Sequence, residues 1–207
     1  MTQVFFIRHG EHDWLGHTLV GRQAGIPLNQ TGREQAEALA AWTSNFRIEA
    51  IFTSPLTRAT QTAEPMAERL GLPAQENLAF HEIDFGEWTG KKFSELEADP
   101  RWHLWNSRRS AGVAPGGERI QEVRERVLRG LEEIRHLGCV AVVSHGDVTK
   151  SVLAEGLGFT LDELLQFEIS PGSVTVATYH LGQLEISELN CRPAFVSKDE
   201  NAPNLVL

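Results

Sequence analysis

The chain opens on an unbroken apolar run, Val4 to Ile7, that stops abruptly at Arg8-His9-Gly10. A run without polar alternation predicts a strand buried on both faces of a parallel sheet. Residues 11–30 hold no sustained period and are punctuated by Gly16, Gly21, Gly25 and Pro27. They predict a long loop, and long loops inside domains often carry function. Thr31-Gly-Arg-Glu34 has the form of a capping box, with Ala36, Leu39, Ala40 and Trp42 behind it on one helical stripe. Ala50 to Ser54 repeats the apolar run, and Pro55 is expected in the first turn of a helix that carries Thr57 to Leu70 and stops at Gly71.

Gln75 to Phe80 predicts a short edge strand, and 81–117, mixed in Trp, Gly, Pro and charge, an excursion with one or two short helices. From Glu118 onward, Ile120, Val123, Val127, Leu131 and Ile134 recur every three or four residues, which predicts a helix of about five turns ending before Gly138. A third apolar run, Cys139 to Ser144, meets His145-Gly146 and leads into a helix from about Val148 to Leu157. Thr160 with Glu163 caps another short helix, and Val174 to Tyr179 and Leu184 to Leu189 flank a Leu-Gly-Gln turn as a closing hairpin.

Strands alternating with helices predict an α/β fold: a three-layer sandwich with a mainly parallel central sheet and helices on both faces. The expected organisation is one domain over 1–207 with the excursion at about 81–117. Open sheets of this kind bind ligands at the carboxyl ends of their strands. Arg8-His9, the Ser54 to Arg58 turn and His145 all fall at those ends, so residues distant in sequence are expected to share one pocket.

Composition narrows the ligand. With 19 Lys and Arg against 28 Asp and Glu, the net charge is −9, which leaves no basic field for nucleic acid or an anionic membrane. A local cluster of Arg and His can still hold one small anion, because contact chemistry outweighs a dispersed net charge. Cys139 and Cys191 form neither a CxxC pair nor a Cys/His array, which predicts two reduced thiols in a cytoplasmic protein, with a single bridge between them as the alternative. The apolar start is too short for a signal peptide, and no stretch approaches the length of a membrane span.

Two arginines and two histidines beside the backbone N–H groups of Gly10 and Gly146 make a site suited to tetrahedral phosphate. Taken singly, strand-end arginines often pair with acidic side chains and a lone histidine is more often structural, so it is the convergence that points to chemistry. His12, His17, His81 and His103 lack metal-ligand spacing, and Arg8 and Arg58 would repel a cation, so neither a metal nor a cofactor is expected. Trp102 and Trp105 read either as a substrate lid or as core of the excursion.

Four ordered segments carry a family resemblance: Arg8-His9-Gly10-Glu11; Thr53-Ser54-Pro55-Leu56-Thr57-Arg58-Ala59-Thr60-Gln61-Thr62-Ala63; His81-Glu82-Ile83-Asp84-Phe85-Gly86-Glu87-Trp88-Thr89-Gly90; and Val142-Val143-Ser144-His145-Gly146. Over about Val4 to Tyr179 the chain resembles the histidine phosphatase superfamily, with its phosphoglycerate-mutase-like fold. The resemblance implies His9 as a nucleophile forming a phosphohistidine, Arg8, Arg58 and His145 as ligands of the transferring oxygens, and Glu82 as the proton donor. Glu11, Asp13, Asp84 and Glu87 lie near enough in sequence to compete with Glu82. Gly21 and Arg22 resemble the family's Gly-Arg element, which often approaches phosphate.

The implied activity is hydrolysis of a small phosphorylated metabolite, with a phosphoglycerate-type mutase as the alternative; Phe85-Gly86-Glu87-Trp88 looks like the phosphatase branch. A homodimer is compatible with this reading. Against the family's usual RHGETxWN the chain has His12 in place of Thr and Leu15 in place of Asn, so an amide near the phosphate is missing, with Gly16, His17 or Thr18 as candidates to compensate. Thr89 replaces the Glu of a common FGxWEG form.

Overall fold

A computed structural model describes residues 1–194 of the chain; residues 195–207, which the single-domain expectation also includes, lie outside the described residues. Among the described residues the strands are β1 (Thr2–Arg8), β2 (Ala50–Thr53), β3 (Ala74–Glu76), β4 (Cys139–Ser144), β5 (Val174–His180) and β6 (Gln183–Cys191). They form one sheet in the order β3-β2-β4-β1-β5-β6. β3, β2, β4 and β1 run parallel, and β5 joins β1 antiparallel and pairs with β6 as the expected hairpin. The fold is thus α/β with a mainly parallel sheet, and an antiparallel hairpin closes one edge.

The alternation of side chains across each strand sorts the core into two halves. Val4, Phe6, Phe52, Val140 and Val142 face the excursion, α5 (Ile120–Ile134) and α6 (Gly146–Gly156). Phe5, Ile7, Ile51, Ala141 and Val143 face α1 (Gln30–Thr43) and α2 (Thr57–Leu70). Because both faces are covered, the central strands are apolar throughout, which is why no polar alternation shows in their sequence.

Several boundaries differ from the expected ones. α1 is capped by Asn29, whose side chain accepts from Gly32 N at 2.8 Å, so Thr31 lies inside the first turn and is not the cap. That turn presses on the segment after β1: a Cβ on Gly32 would lie 2.1 Å from the Glu11 carbonyl oxygen, so only glycine permits the approach. Pro55 precedes the N-cap Leu56 of α2 and is outside the helix, whereas Pro65 sits in its interior. Gln75 to Phe80 divides into β3 and a single 3-10 turn, Leu78–Phe80. α5 begins at Ile120 and is shorter than expected, and α6 begins at Gly146, ahead of Val148, with His145 as its N-cap. The Thr160 box with Glu163 closes a 3-10 turn, Leu161–Glu163.

The excursion contains a 3-10 turn (Gly86–Trp88), α3 (Phe93–Leu96) and α4 (Pro100–Ser107). Trp88 meets the rings of Trp102 and Trp105 edge-on, with centroids 5.3 and 6.1 Å away. Trp102 and Trp105 are therefore buried packing residues of the excursion and not a lid. A bridge between Thr18 and Lys92 ties the 11–30 loop to the excursion. Cys139 and Cys191 are free thiols. Among the described residues no helix is long and apolar enough to cross a membrane.

Candidate active site

The carboxyl ends of β1, β2 and β4 deliver His9, the Ser54 to Arg58 turn and His145 to one place. His9 is buried and fixed from both sides. Its Nδ1 lies 2.8 Å from the Gly10 carbonyl oxygen, which can only accept, so Nδ1 carries the proton. Its Nε2, the remaining lone pair, accepts from Arg58 Nε at 3.3 Å. Burial, reinforced by Arg58 and Arg8, holds its pKa well below the usual histidine value, leaving a neutral imidazole with a defined tautomer.

Arg58 is buried at the start of α2. Its Nη2 donates to the Gly21 carbonyl at 2.9 Å and lies 3.6 Å from Glu82 Oε2, while its Nη1 is buried without a partner among the described residues. Arg8 donates through Nη1 to the Ile169 carbonyl at 2.6 Å, and its Nε is likewise buried and unpaired. Its guanidinium lies against Gly146, where a Cβ would stand 3.3 Å from Cζ and crowd it. Two unpaired arginine donors and the first-turn N–H groups of α6 thus share one neighbourhood, and an oxyanion would satisfy them.

Glu82 reaches the same place from the excursion. Its Oε1 accepts from Ile83 N at 2.9 Å, and Oε2 lies 3.4 Å from His145 Nδ1. Burial raises the Glu82 pKa, only partly opposed by Arg58 and the Ile83 N–H, so the protonated acid is favoured relative to a free carboxyl. His145, fully enclosed, lies 2.8 Å from Ser54 Oγ through Nε2 and stands edge-on to His9 with ring centroids 5.1 Å apart. The Ser54 hydroxyl can donate or accept, so it serves either tautomer.

These groups surround a cavity of about 180 Å³ whose walls include Arg8, His9, His12, Arg58 and Glu82 on the polar side and Leu15, Leu19, Val20, Phe85 and Phe93 on the apolar side. His145 stands behind this wall. Gly21 lines the cavity, and its carbonyl orients Arg58. Arg22 is placed elsewhere: its donors go to the Glu82 carbonyl at 2.8 Å and Glu118 at 3.0 Å, with Asp84 at 3.5 Å, so it braces the Glu82 loop from outside the cavity. Of the competing carboxylates, Asp84 is held by Arg22, Glu87 pairs with Arg101 on the surface, Glu11 accepts from Gln35 and Asp13 is exposed.

Three polar cavity residues were not anticipated as site residues. Asp147 and Lys150, on the first turns of α6, line the cavity, and Asp147 accepts from the buried Arg109 at 2.7 Å. Their only sequence signal was proximity to His145. His12, noted as a departure from a family motif, is buried in the cavity wall.

The family model for the histidine phosphatase superfamily (branch 1) matches residues 4–192. The chain is 33% identical over 158 residues to an uncharacterized phosphatase, PhoE, of Bacillus subtilis, covering 75% of this chain and 77% of the relative. It is 32% identical over 184 residues to phosphoserine phosphatase 1 of Hydrogenobacter thermophilus, covering 85% and 86% respectively. The solved structure of Bacillus stearothermophilus YhfR superposes with a TM-score of 0.84 at 28% identity, over 92% of this chain and 97% of that one.

Proposed function

The chain belongs to branch 1 of the histidine phosphatase superfamily, and from that membership we propose that it hydrolyses a small phosphomonoester through a phosphohistidine at His9, without a metal ion. The observation that carries this reading is the state of His9 in the cavity wall: neutral, its proton held on Nδ1 by the Gly10 carbonyl, its Nε2 left as the lone pair, which accepts only a long hydrogen bond from Arg58 Nε at 3.3 Å and stands beside unpaired arginine donors. A neutral imidazole is a competent nucleophile and needs no base to activate it. Arg8 and Arg58 supply fixed positive charge where the equatorial phosphoryl oxygens develop theirs.

In the first step His9 Nε2 bonds to phosphorus and the ester P–O bond breaks. Glu82 passes its proton to the departing oxygen, which leaves as the alcohol. In the second step Glu82, now a carboxylate, takes a proton from water; the water oxygen bonds to phosphorus, the P–N bond breaks, and inorganic phosphate leaves with His9 and Glu82 restored. Arg58 Nη2 also lies 3.3 Å from His145 Nδ1, so His145 joins the phosphoryl ligands once its Nδ1 carries the proton and both Arg58 Nη2 and Glu82 have turned from it toward the phosphate ester. Gly21 and Arg22 act one layer out, on Arg58 and on the Glu82 loop. A cavity of about 180 Å³ with apolar walls suits a compact leaving group.

The test is rapid acid or base quenching after mixing with labelled substrate in EDTA. A base-stable, acid-labile phosphoprotein is expected, absent in His9→Ala; an active His9→Ala enzyme, or activity restored only by a divalent ion, contradicts the reading. Phosphorus NMR with 3-phosphoglycerate separates the mutase alternative: rapid formation of 2-phosphoglycerate with little inorganic phosphate would overturn hydrolysis and leave the phosphohistidine step standing.

A further inference from the structure

His12 is the one cavity-lining imidazole that the proposed chemistry leaves unused. It is 4% exposed, and its ring lies against that of His9, with centroids 5.4 Å apart and planes 29° apart. Its Nδ1 is buried with no partner among the described residues, while the ring forms part of the cavity wall, so Nε2 is the polar edge left to the cavity. We propose that His12 is a substrate ligand that donates a neutral Nε2–H hydrogen bond to the bound phosphate ester, which rests on the phosphatase reading above.

Three observations converge on this role. A neutral imidazole has one ring proton; on Nδ1 it would be a buried donor without an acceptor, whereas on Nε2 it meets whatever occupies the cavity. Burial first, then Arg58 and Arg8, pull the His12 pKa down to about 4, with Asp13 opposing weakly, so the ring adds a donor without adding charge beside the arginines. At Leu15, also in the wall, the chain has a side chain with no donor. The imidazole enters the cavity wall three residues earlier in the same loop, so it offers a donor where Leu15 has none. Of the residues expected to compensate, Gly16 and Thr18 line the cavity whereas His17 is exposed.

Four variants test this. His12→Phe keeps a planar ring against His9 and removes the donor, and His12→Leu removes it with a smaller group. His12→Gln places an amide N–H near the Nε2 position, and His12→Asn places one nearer Nδ1. Dissociation constants for inorganic phosphate are measured by calorimetry, kcat and KM with p-nitrophenyl phosphate, and folding by thermal unfolding. Phe and Leu should weaken phosphate binding and kcat/KM on the order of tenfold to a hundredfold, as expected for a lost hydrogen bond to a charged group. Gln should recover most of that loss and Asn should not, at an unfolding temperature common to all four. If Phe matches the native protein and Gln does not, the ring acts by packing alone and the proposal fails. If the native protein hydrolyses esters and all four variants bind phosphate equally, the proposal fails while the phosphatase reading stands. A native protein that neither binds phosphate nor hydrolyses esters overturns both.

Discussion

Glu82→Gln isolates a single proton. The amide keeps the shape of the carboxyl and its Oε1 can still accept from Ile83 N, 2.9 Å away in the native protein, so the loop should hold its course. The substitution removes the ability to give up a proton in the first step, and to take one from water in the second, at the atom that lies 3.4 Å from His145 and 3.6 Å from Arg58. For an alkyl ester, whose leaving alkoxide is strongly basic, the loss should reach the 10²–10⁴-fold that general acid catalysis typically contributes. For p-nitrophenyl phosphate, whose phenolate leaves unaided, it should be under about tenfold. Steady-state kcat/KM on both substrates, which reports the transfer to His9 and not the later hydrolysis, measures the ratio. The pH profile adds a second reading. Because burial raises the Glu82 pKa, the native rate on alkyl esters should fall as pH climbs through that raised value, and the limb should be absent in Glu82→Gln. Equal losses on both substrates would show that Glu82 only positions substrate.

Arg58→Met should lower kcat/KM on the order of 10²-fold or more, the usual result of deleting one oxyanion donor. It should also move the acid limb to higher pH, since Arg58 is the leading charge that holds His9 neutral; a loss under tenfold with an unmoved limb would contradict both roles. His9, His12 and His145 are buried with depressed pKa values, so the folded state takes up their protons later than the unfolded chain does. The stability they contribute is present above pH 6.5 and is lost as pH falls. For His12, going from 6.5 to about 4 corresponds to about 3 kcal/mol, at roughly 1.4 kcal/mol per unit. Urea unfolding between pH 7 and 4 should therefore show a shallower decline for His12→Gln than for the native chain, and parallel declines would refute the buried-neutral assignment.

The strands were legible because burial on both sheet faces leaves one signature, a short apolar run, and each run ended on the residues that form the site. Helix starts were less legible, because a cap depends on which side chain reaches a free N–H and not on which residue has the right type. Thr31 and Glu34 have the pattern of a capping box, yet Asn29 makes the bond. His145 caps α6 with its backbone in an extended conformation and no side-chain bond, so nothing local marked that boundary. The cluster itself was visible only through order along the chain: Arg58 meets Gly21 across 37 residues and His145 meets Ser54 across 91.

Arg22 and His12 show where reading by motif stops short. Arg22 occupies a motif position associated with phosphate, but Glu118, 96 residues on, offers it a carboxylate at 3.0 Å, and Arg126 adds to the same carboxylate at 3.1 Å. A guanidinium that already has an anion and a carbonyl has little reason to turn toward a cavity holding two other arginines, since like charges brought together there would cost more than they gain. His12 is the converse. The substitution that weakened the motif match also put an aromatic donor beside His9. A polar group with an unpaired buried nitrogen is expensive unless a ligand or solvent meets its other edge. The departure from the pattern is therefore where this chain's own specificity is best sought, in the loop that carries His12 and Leu15 into the cavity wall.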